Sequence, residues 1–134
     1  MNSFVKQYGK DFNCLNADAI CSWYEFPLSI LSPQNNSVFN SATEFVASIE
    51  KLLEMYRAFK FSHAEVLQET ITEGLYGLNQ IDVTWRLVDE NNDSIINFEI
   101  TYFFKEKEGE TKICGVVSHN EFSEWKKKME SQKD

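Results

Sequence analysis

The sequence has little of what marks membrane and nucleic-acid-binding proteins. It contains no run of roughly 18 apolar residues, the length that lets a helix cross a bilayer. Lys and Arg number 13 against 21 Asp and Glu, so the formal net charge is −8 at pH 7. Nucleic-acid affinity comes largely from cationic side chains that replace counterions. We therefore expect neither a nucleic-acid partner nor association with a membrane.

Histidine and cysteine are also scarce. The two histidines, His63 and His119, lie far apart in the chain, and the three cysteines form no C-x-x-C pair. Because a zinc site needs three or four convergent ligands, we expect no metal and no cofactor. The first residues, MNSFVKQYGKDF, have neither the basic start nor the apolar core of a signal peptide. These features predict a cytoplasmic protein without a disulfide framework.

Aromatic residues, by contrast, are abundant. The 134 residues include 11 Phe, 5 Tyr and 3 Trp. Such apolar surface offsets the entropy lost on ordering, which favours a packed globule over a disordered chain. The chain has two prolines and no Pro/Gly-rich linker that would divide it. We expect a single domain over residues 1–134, which at this size buries roughly two thirds of its unfolded surface.

The first part of the chain predicts two helices and the start of a sheet. Apolar residues at helical spacing indicate an opening helix that ends at about Leu15. Asn16 is a suitable cap for a short second helix from Ala17 to Trp23. The apolar stretch Phe26 to Leu31 follows, and Pro27 at its beginning is typical of an edge strand.

The longest helix has the clearest start signal. Ser37 to Phe39 suits a short returning strand, and Ser41 with Glu44 then forms an S-x-x-E capping box. The helix is predicted to run to about Phe59, with one apolar stripe that packs on a sheet. The stripe consists of Phe45, Ile49, Leu52, Leu53, Tyr56 and Phe59.

The second half predicts an antiparallel meander followed by a helix. Apolar and polar residues alternate along the strands, so one face of the sheet is apolar and the other polar. The predicted strands are Ala64 to Glu73, Ile81 to Val88, Ile95 to Lys105 and Thr111 to Ser118. A helix at about residues 120–130 carries Phe122, Trp125 and Met129 on one side. We expect the last residues, 131–134, to fray.

This order of elements resembles the nuclear transport factor 2-like superfamily, which includes SnoaL-like, ketosteroid isomerase-like and scytalone dehydratase-like proteins. The resemblance spans about Phe4 to Ser118 and is greatest to bacterial members without an assigned function. The local sequences that carry it are Asn16-Ala17-Asp18, Trp-x-Leu-x-Asp at Trp85 to Asp89, Phe-x-Ile-Thr-Tyr at Phe98 to Tyr102, and Lys112-Ile113-Cys114-Gly115.

The resemblance implies an α+β fold in which a strongly bent antiparallel sheet wraps around the long helix and encloses a conical cavity. It also implies a homodimer formed through the outer surface of the sheet. We expect the cone to bind a small apolar or aromatic molecule, because such sites have apolar walls with few polar groups. The candidate ligand-binding residues are Tyr8, Trp23, Tyr24, Phe26, Trp85 and Tyr102.

Two other functions stay open at this point. One is a cofactor-independent lyase or isomerase, with Glu99, Tyr102 or His119 as candidate catalytic residues. Where ketosteroid isomerase-like proteins have a base before a proline, this chain has Phe26. Glu25 precedes it and would point to the opposite face of the strand. The other function is a protein-interaction module that acts through the sheet and the final helix, which predicts a filled cone and an exposed apolar patch.

Overall fold

The computed structural model describes residues 3–131. Two short helices open the chain, α1 (Val5–Asn13) and α2 (Ala17–Cys21). The side chain of Asn16 caps α2 by accepting a hydrogen bond from the Ala19 backbone N–H at 3.1 Å. α1 ends two residues earlier than predicted, because Leu15 has a positive φ of 52° that a helix does not allow.

The first strands form a hairpin, β1 (Tyr24–Leu31) and β2 (Asn36–Phe39). The prediction of an edge strand at Pro27 is wrong, because β1 lies between β2 and β6 in the sheet. The register of β1 against β6 shifts between Tyr24 and Ser29. Pro27 falls within that irregular stretch, where a residue without an N–H is tolerated in a sheet.

The long helix α3 (Ala42–Ala58) starts at the predicted cap. The Ser41 hydroxyl accepts a hydrogen bond from the Glu44 N–H at 3.3 Å. The Glu44 carboxylate accepts one at 3.0 Å from the N–H of Asn40, one residue before the position that a capping box uses. The buried face of α3 presents Phe45, Ile49, Leu53 and Tyr56. Leu52 and Phe59, also predicted to face inward, are half-buried.

Four long strands follow: β3 (Phe61–Thr72), β4 (Asn79–Asp89), β5 (Ser94–Lys107) and β6 (Glu110–Ser118). The sheet has six strands in the order β2-β1-β6-β5-β4-β3. Its pairs are antiparallel except β1 with β6, which run parallel. The predicted turn between β5 and β6 is a tight hairpin with positive φ at Glu108 and Gly109. Turns of this type are favoured in hairpins because their twist matches that of the flanking strands.

The curled sheet has an apolar and a polar face, as the alternation predicts. In β4 the side chains of Ile81, Val83 and Trp85 are buried, whereas Asp82 and Thr84 between them are half-buried on the other side. The apolar face and α3 enclose the core. The α+β class and the curled sheet with its long helix are confirmed, with the parallel β1–β6 pair as the departure from a purely antiparallel sheet.

The last helix, α4 (Glu121–Ser131), has Trp125 as its buried residue. Trp125 is 3% exposed, and its ring lies 5.6 Å from that of Tyr56 and 5.3 Å from that of Phe59. Phe122 and Met129, predicted on the same stripe, are 60% and 42% exposed. Of the residues predicted to fray, 132–134 lie outside the described range. None of the helices within residues 3–131 combines the length and apolar character needed to cross a bilayer.

Candidate functional site

A cavity of about 250 Å³ lies between α3 and the apolar face of the sheet. Its wall is mostly aromatic and aliphatic. Residues of α1, α2, α3, the start of α4 and every strand except β2 contribute to it. An exposed serine of α3, Ser48, marks the rim. The lining residues are Tyr8, Phe12, Ile20, Tyr24, Ile30, Phe45, Ser48, Ile49, Leu52, Tyr56, Ala64, Trp85, Leu87, Phe98, Ile100, Tyr102, Val116, Ser118 and Glu121.

Four tyrosines bring hydroxyl groups to this apolar wall. The hydroxyls of Tyr8 and Tyr24 share a hydrogen bond. The Tyr102 hydroxyl accepts a hydrogen bond from Trp85 Nε1 at 3.1 Å. Tyr56 is 2% exposed, and its hydroxyl makes no hydrogen bond to any of residues 3–131. Arg86 Nε is the one fully buried polar side-chain atom without a hydrogen bond among residues 3–131. The Tyr56 hydroxyl is therefore not fully enclosed and offers an open position for a ligand's polar group.

Burial keeps these hydroxyls protonated. It is the largest cause that raises the pKa of Tyr8, Tyr24, Tyr56 and Tyr102 above the ordinary value of 10.0. The negative charge of Glu121 adds to the rise at three of them, Tyr24, Tyr56 and Tyr102. The four side chains are therefore neutral at physiological pH and can donate or accept hydrogen bonds.

Glu121 is the single acidic side chain on the described wall of the cavity. One carboxyl oxygen, Oε2, accepts a hydrogen bond from Trp125 Nε1 at 3.2 Å. The other oxygen has no hydrogen-bond partner among residues 3–131. Burial raises the pKa of the Glu121 carboxyl from 4.5 to about 7, and the Trp125 hydrogen bond lowers it only in part. The first turn of a helix favours a carboxylate, so here the loss of solvent outweighs the helix dipole.

Two hydrogen bonds fix the beginning of α4 against β5 and so position Glu121. The side-chain oxygen of Asn120 accepts a hydrogen bond from the Glu99 N–H at 2.7 Å. The His119 N–H donates to the Glu99 carbonyl at 3.1 Å. One turn further on, Trp125 is buried against α3. With the helix held at both points, the side chain of its first residue reaches the cavity.

Four of the six predicted ligand-binding residues lie on the cavity wall: Tyr8, Tyr24, Trp85 and Tyr102. Trp23 does not, since it lines an open depression near the β5–β6 turn and donates from Nε1 to Asp11 at 2.7 Å. Phe26 does not either, although its ring lies 5.9 Å from that of Phe45, which does line the wall. Ligand binding by the four stays a prediction.

The candidate catalytic residues are divided between the two faces of the sheet. Tyr102 lies in the cavity, whereas Glu99 is exposed on the outer face, opposite its neighbours Phe98 and Ile100. His119 is exposed, and its Nε2 lies 2.8 Å from the hydroxyl of Thr101, which also donates to Asp82 at 2.5 Å. This polar chain is on the outer face, so Glu99 and His119 cannot act with Tyr102 on one molecule in the cone.

Glu25, the residue before the position of the isomerase base, also points outward. Its carboxylate accepts hydrogen bonds from Lys105 Nζ at 2.9 Å and Lys107 Nζ at 3.1 Å. These bonds hold the pKa of Glu25 below its usual value, and the bond from Lys105 is the largest cause. Glu25 is therefore a surface carboxylate. Within the described part of the chain, no three His, Cys, Asp or Glu side chains come together as a metal site.

Reasoning from the sequence missed Glu121 and Tyr56 as site residues. Tyr56 was assigned to the packing stripe of α3, and that spacing does not distinguish a wall from a filled core. Glu121 precedes an amphipathic stretch, where an acidic residue is typical of a helix start. No local signal in the sequence marks Glu121 as a cavity residue, because its place on the wall depends on how α4 docks on β5.

The cavity between a long helix and a curled sheet defines the class of the protein as an α+β cone. A profile of the family described as NTF2-like protein (DUF6841) matches residues 1–121. The chain therefore belongs to this family, which agrees with the nuclear transport factor 2-like resemblance. A search of curated proteins found no significant match.

Solved structures agree on the fold. An NTF2-like protein with a cystatin-like fold from Novosphingobium aromaticivorans has a TM-score of 0.68 at 9% identity, covering 87% of this chain and 76% of that one. An NTF-2-like protein of unknown function from Shewanella oneidensis has a TM-score of 0.67 at 16% identity, covering 87% and 93%. A putative calcium/calmodulin-dependent protein kinase II association domain from Xanthomonas campestris has a TM-score of 0.64 at 15% identity, covering 87% and 81%. At such identities the likeness concerns the fold alone.

Proposed function

We propose that this NTF2-like protein binds a small, largely apolar molecule in its cone. The observation that carries the proposal is the cavity of about 250 Å³, whose wall is apolar except for a few convergent polar groups. Binding sites for small molecules have this composition. An open cavity also favours binding over a pure interaction module, for which a filled cone was predicted. The unpaired cysteines within residues 3–131 are in keeping with a cytoplasmic protein.

The size of the cavity limits the ligand. An engineered cavity of roughly 150 Å³ in another protein holds one benzene ring. A volume of about 250 Å³ therefore has room for a single ring with a short side chain. The wall offers aromatic faces for the ring, among them Trp85 and Phe98, and an open hydroxyl at Tyr56 for a polar substituent.

A titration with 2-phenylethanol, followed by calorimetry and by tryptophan fluorescence, tests this proposal. Saturable binding at one site per chain is the expected result. The variant Ala64→Phe adds a ring to the wall and is expected to abolish binding, whereas Ser62→Phe, on an exposed position of the same strand, retains it. Equal binding by both variants would place the probe elsewhere and contradict the proposal.

We further propose that the protein is a homodimer through the outer face of the sheet. That face carries Arg86, whose Nε is buried without a hydrogen bond among the described residues and lies 3.7 Å from a carboxylate oxygen of Glu65. A second copy would supply polar partners to such groups. Native mass spectrometry is expected to give a dimer for the native chain and for the control Thr43→Arg on α3. Thr84→Arg, two residues from Arg86 on the same face of β4, is expected to give a monomer, and a monomeric native chain would refute the proposal.

The second candidate function is isomerase-type proton transfer, and Glu121 is the observation that favours it. A carboxyl whose pKa is raised to about 7 is suited to act as a base near neutral pH. In such a step the carboxylate takes a proton from a carbon next to a ketone, and the Tyr56 hydroxyl donates a hydrogen bond to the enolate oxygen. The proton then returns to carbon.

Deuterium exchange tests this candidate without knowledge of the substrate. In D₂O at pH 8, phenylacetone is expected to gain deuterium next to its carbonyl faster with protein than with buffer. Glu121→Gln is expected to remove the acceleration, and Glu99→Gln, on the outer face, to leave it intact. Exchange at the buffer rate, under conditions where phenylacetone is shown to bind, would exclude this function for ketones of that size.

A further inference from the structure

Charge in the cavity has one sign. Glu121 is the ionisable acid on the described wall, and no Lys, Arg or His is among the lining residues. The remaining titratable groups there are Tyr8, Tyr24, Tyr56 and Tyr102, which burial keeps neutral. A buried anionic ligand would meet no opposite charge and would face the carboxylate of Glu121. Burying an unpaired charge is strongly unfavourable, so the wall excludes carboxylates and phosphates.

The carboxyl of Glu121 has capacity for a further partner. Trp125 Nε1 occupies Oε2 at 3.2 Å, and the other oxygen accepts no hydrogen bond from residues 3–131. Tyr56 and the two serines, Ser48 and Ser118, are further hydrogen-bond donors on the wall, and all three are uncharged. Residues 3–131 thus leave this half-buried carboxyl without a compensating cation on the cavity wall. A ligand that carries a cation would supply it and would form a charge-assisted hydrogen bond.

The rest of the wall also favours a cation over a neutral polar group. Aromatic rings attract cations over their faces through the negative charge of the π system. Tyr24, Tyr56 and Tyr102 line the same cavity as Glu121, from β1, α3 and β5, and its charge contributes to the raised pKa of each hydroxyl. A carboxylate on an aromatic cavity wall is suited to bind an ammonium group with an apolar body.

We propose that the cone selects small aromatic or alicyclic amines, with the ammonium group on Glu121 and the ring against the aromatic wall. This inference rests on the proposed binding function and adds the chemical class of the ligand. A ring with a two-carbon side chain and a terminal amine fits the room in the cavity. Glu121 then acts as a specificity-determining residue, and the aromatic wall provides affinity for the apolar body.

Three probes of one shape test the inference: 2-phenylethylamine, 2-phenylethanol and phenylacetate. They differ mainly in the charge at the end of the side chain. Calorimetry at pH 8 is expected to show that the amine binds about ten- to a hundred-fold more tightly than the alcohol, the range that a charge-assisted hydrogen bond gives. Phenylacetate is expected to bind more weakly than the alcohol.

Matched variants assign the preference to Glu121. Glu121→Gln keeps the size of the side chain and is expected to bring the affinities for amine and alcohol to within about three-fold of each other, while the alcohol still binds. Glu130→Gln, at an exposed position of the same helix, is expected to behave like the native chain. A preference for the amine that survives in Glu121→Gln would overturn the assignment.

The outcomes separate this inference from the binding proposal. If the alcohol binds and the amine binds no better, the amine inference is wrong and cavity binding stands. If none of the three probes binds, both are wrong for ligands of this size. Acidification gives an independent check: the ammonium group requires the ionised carboxylate, so amine affinity is expected to fall about ten-fold from pH 8 to pH 6, whereas alcohol affinity does not.

Discussion

Glu121→Gln is expected to change how the stability of the protein depends on pH. The ordinary pKa of a glutamate is 4.5, and burial raises that of Glu121 to about 7. The folded protein therefore holds this proton more tightly than the unfolded chain does. The resulting stability is fully present below pH 4.5 and is lost as the pH rises through about 7.

The size of the effect follows from the two pKa values. At about 1.4 kcal/mol per pH unit, ionising Glu121 in the folded protein costs about 3 kcal/mol more than in the unfolded chain. Glutamine has nearly the same shape, can accept the hydrogen bond of Trp125 and does not ionise. The free energy of unfolding of Glu121→Gln minus that of the native chain is therefore expected to grow by about 2.5 kcal/mol between pH 5 and pH 8.

Urea unfolding at several pH values measures this difference. Other carboxylates, such as Glu25, titrate in both proteins, so their contributions to the difference cancel. Glu130→Gln is the control, because its exposed carboxylate is expected to give a difference that stays within about 0.5 kcal/mol over the same range. A difference between Glu121→Gln and the native chain that is equally flat would contradict the raised pKa of Glu121. The Glu121 carboxyl would then be in water and not on the cavity wall.

Three further substitutions test the packing around the site by urea unfolding. Tyr102→Phe removes the acceptor of the buried Trp85 Nε1 and is expected to lower the free energy of unfolding by about 1–3 kcal/mol. Tyr76→Phe, at a residue 97% exposed, is expected to leave it almost unchanged. Equal losses in the two variants would contradict the hydrogen bond. Leu53→Ala, at a fully buried position of α3, is expected to cost about 2–5 kcal/mol, against less than about 0.5 kcal/mol for Leu75→Ala at a residue 94% exposed. Ser41→Ala removes the cap of α3 and is expected to cost about 1 kcal/mol; no loss would mean that solvent satisfies the Glu44 N–H equally well.

Local patterns in the sequence were enough to predict most of the fold. Alternation along β4 and β5 assigns one face to the core, and the cap at Ser41 marks the start of α3. The parallel pairing of β1 with β6 was not predicted, because the two strands are separated by most of the chain and no local pattern reports such a contact. Pro27 was read as an edge signal, since a sequence does not distinguish an edge from an irregular stretch.

The candidate site could be predicted only in part. Tyr8, Tyr24, Trp85 and Tyr102 belong to apolar patterns that point inward, and the structure brings them to one wall. The alternation of β5 already assigns Glu99 to the face opposite Phe98 and Ile100, so its outward position followed from the sequence.

The position of Glu121 did not follow from the sequence. It depends on how α4 docks on β5 through the contact between Asn120 and Glu99. That docking is a tertiary contact between residues 21 positions apart, and helical spacing does not encode it.

Methyl-resolved NMR during a titration with 2-phenylethylamine tests the central claim most directly, because isoleucine methyl groups lie both on the cavity wall and away from it. We expect saturable shifts at Ile20, Ile49 and Ile100, which line the cavity, and little change at Ile71, which lies outside the cavity near the end of β3. Shifts confined to residues outside the cavity, or none at millimolar amine and alcohol, would contradict the claim that the cone is a binding site.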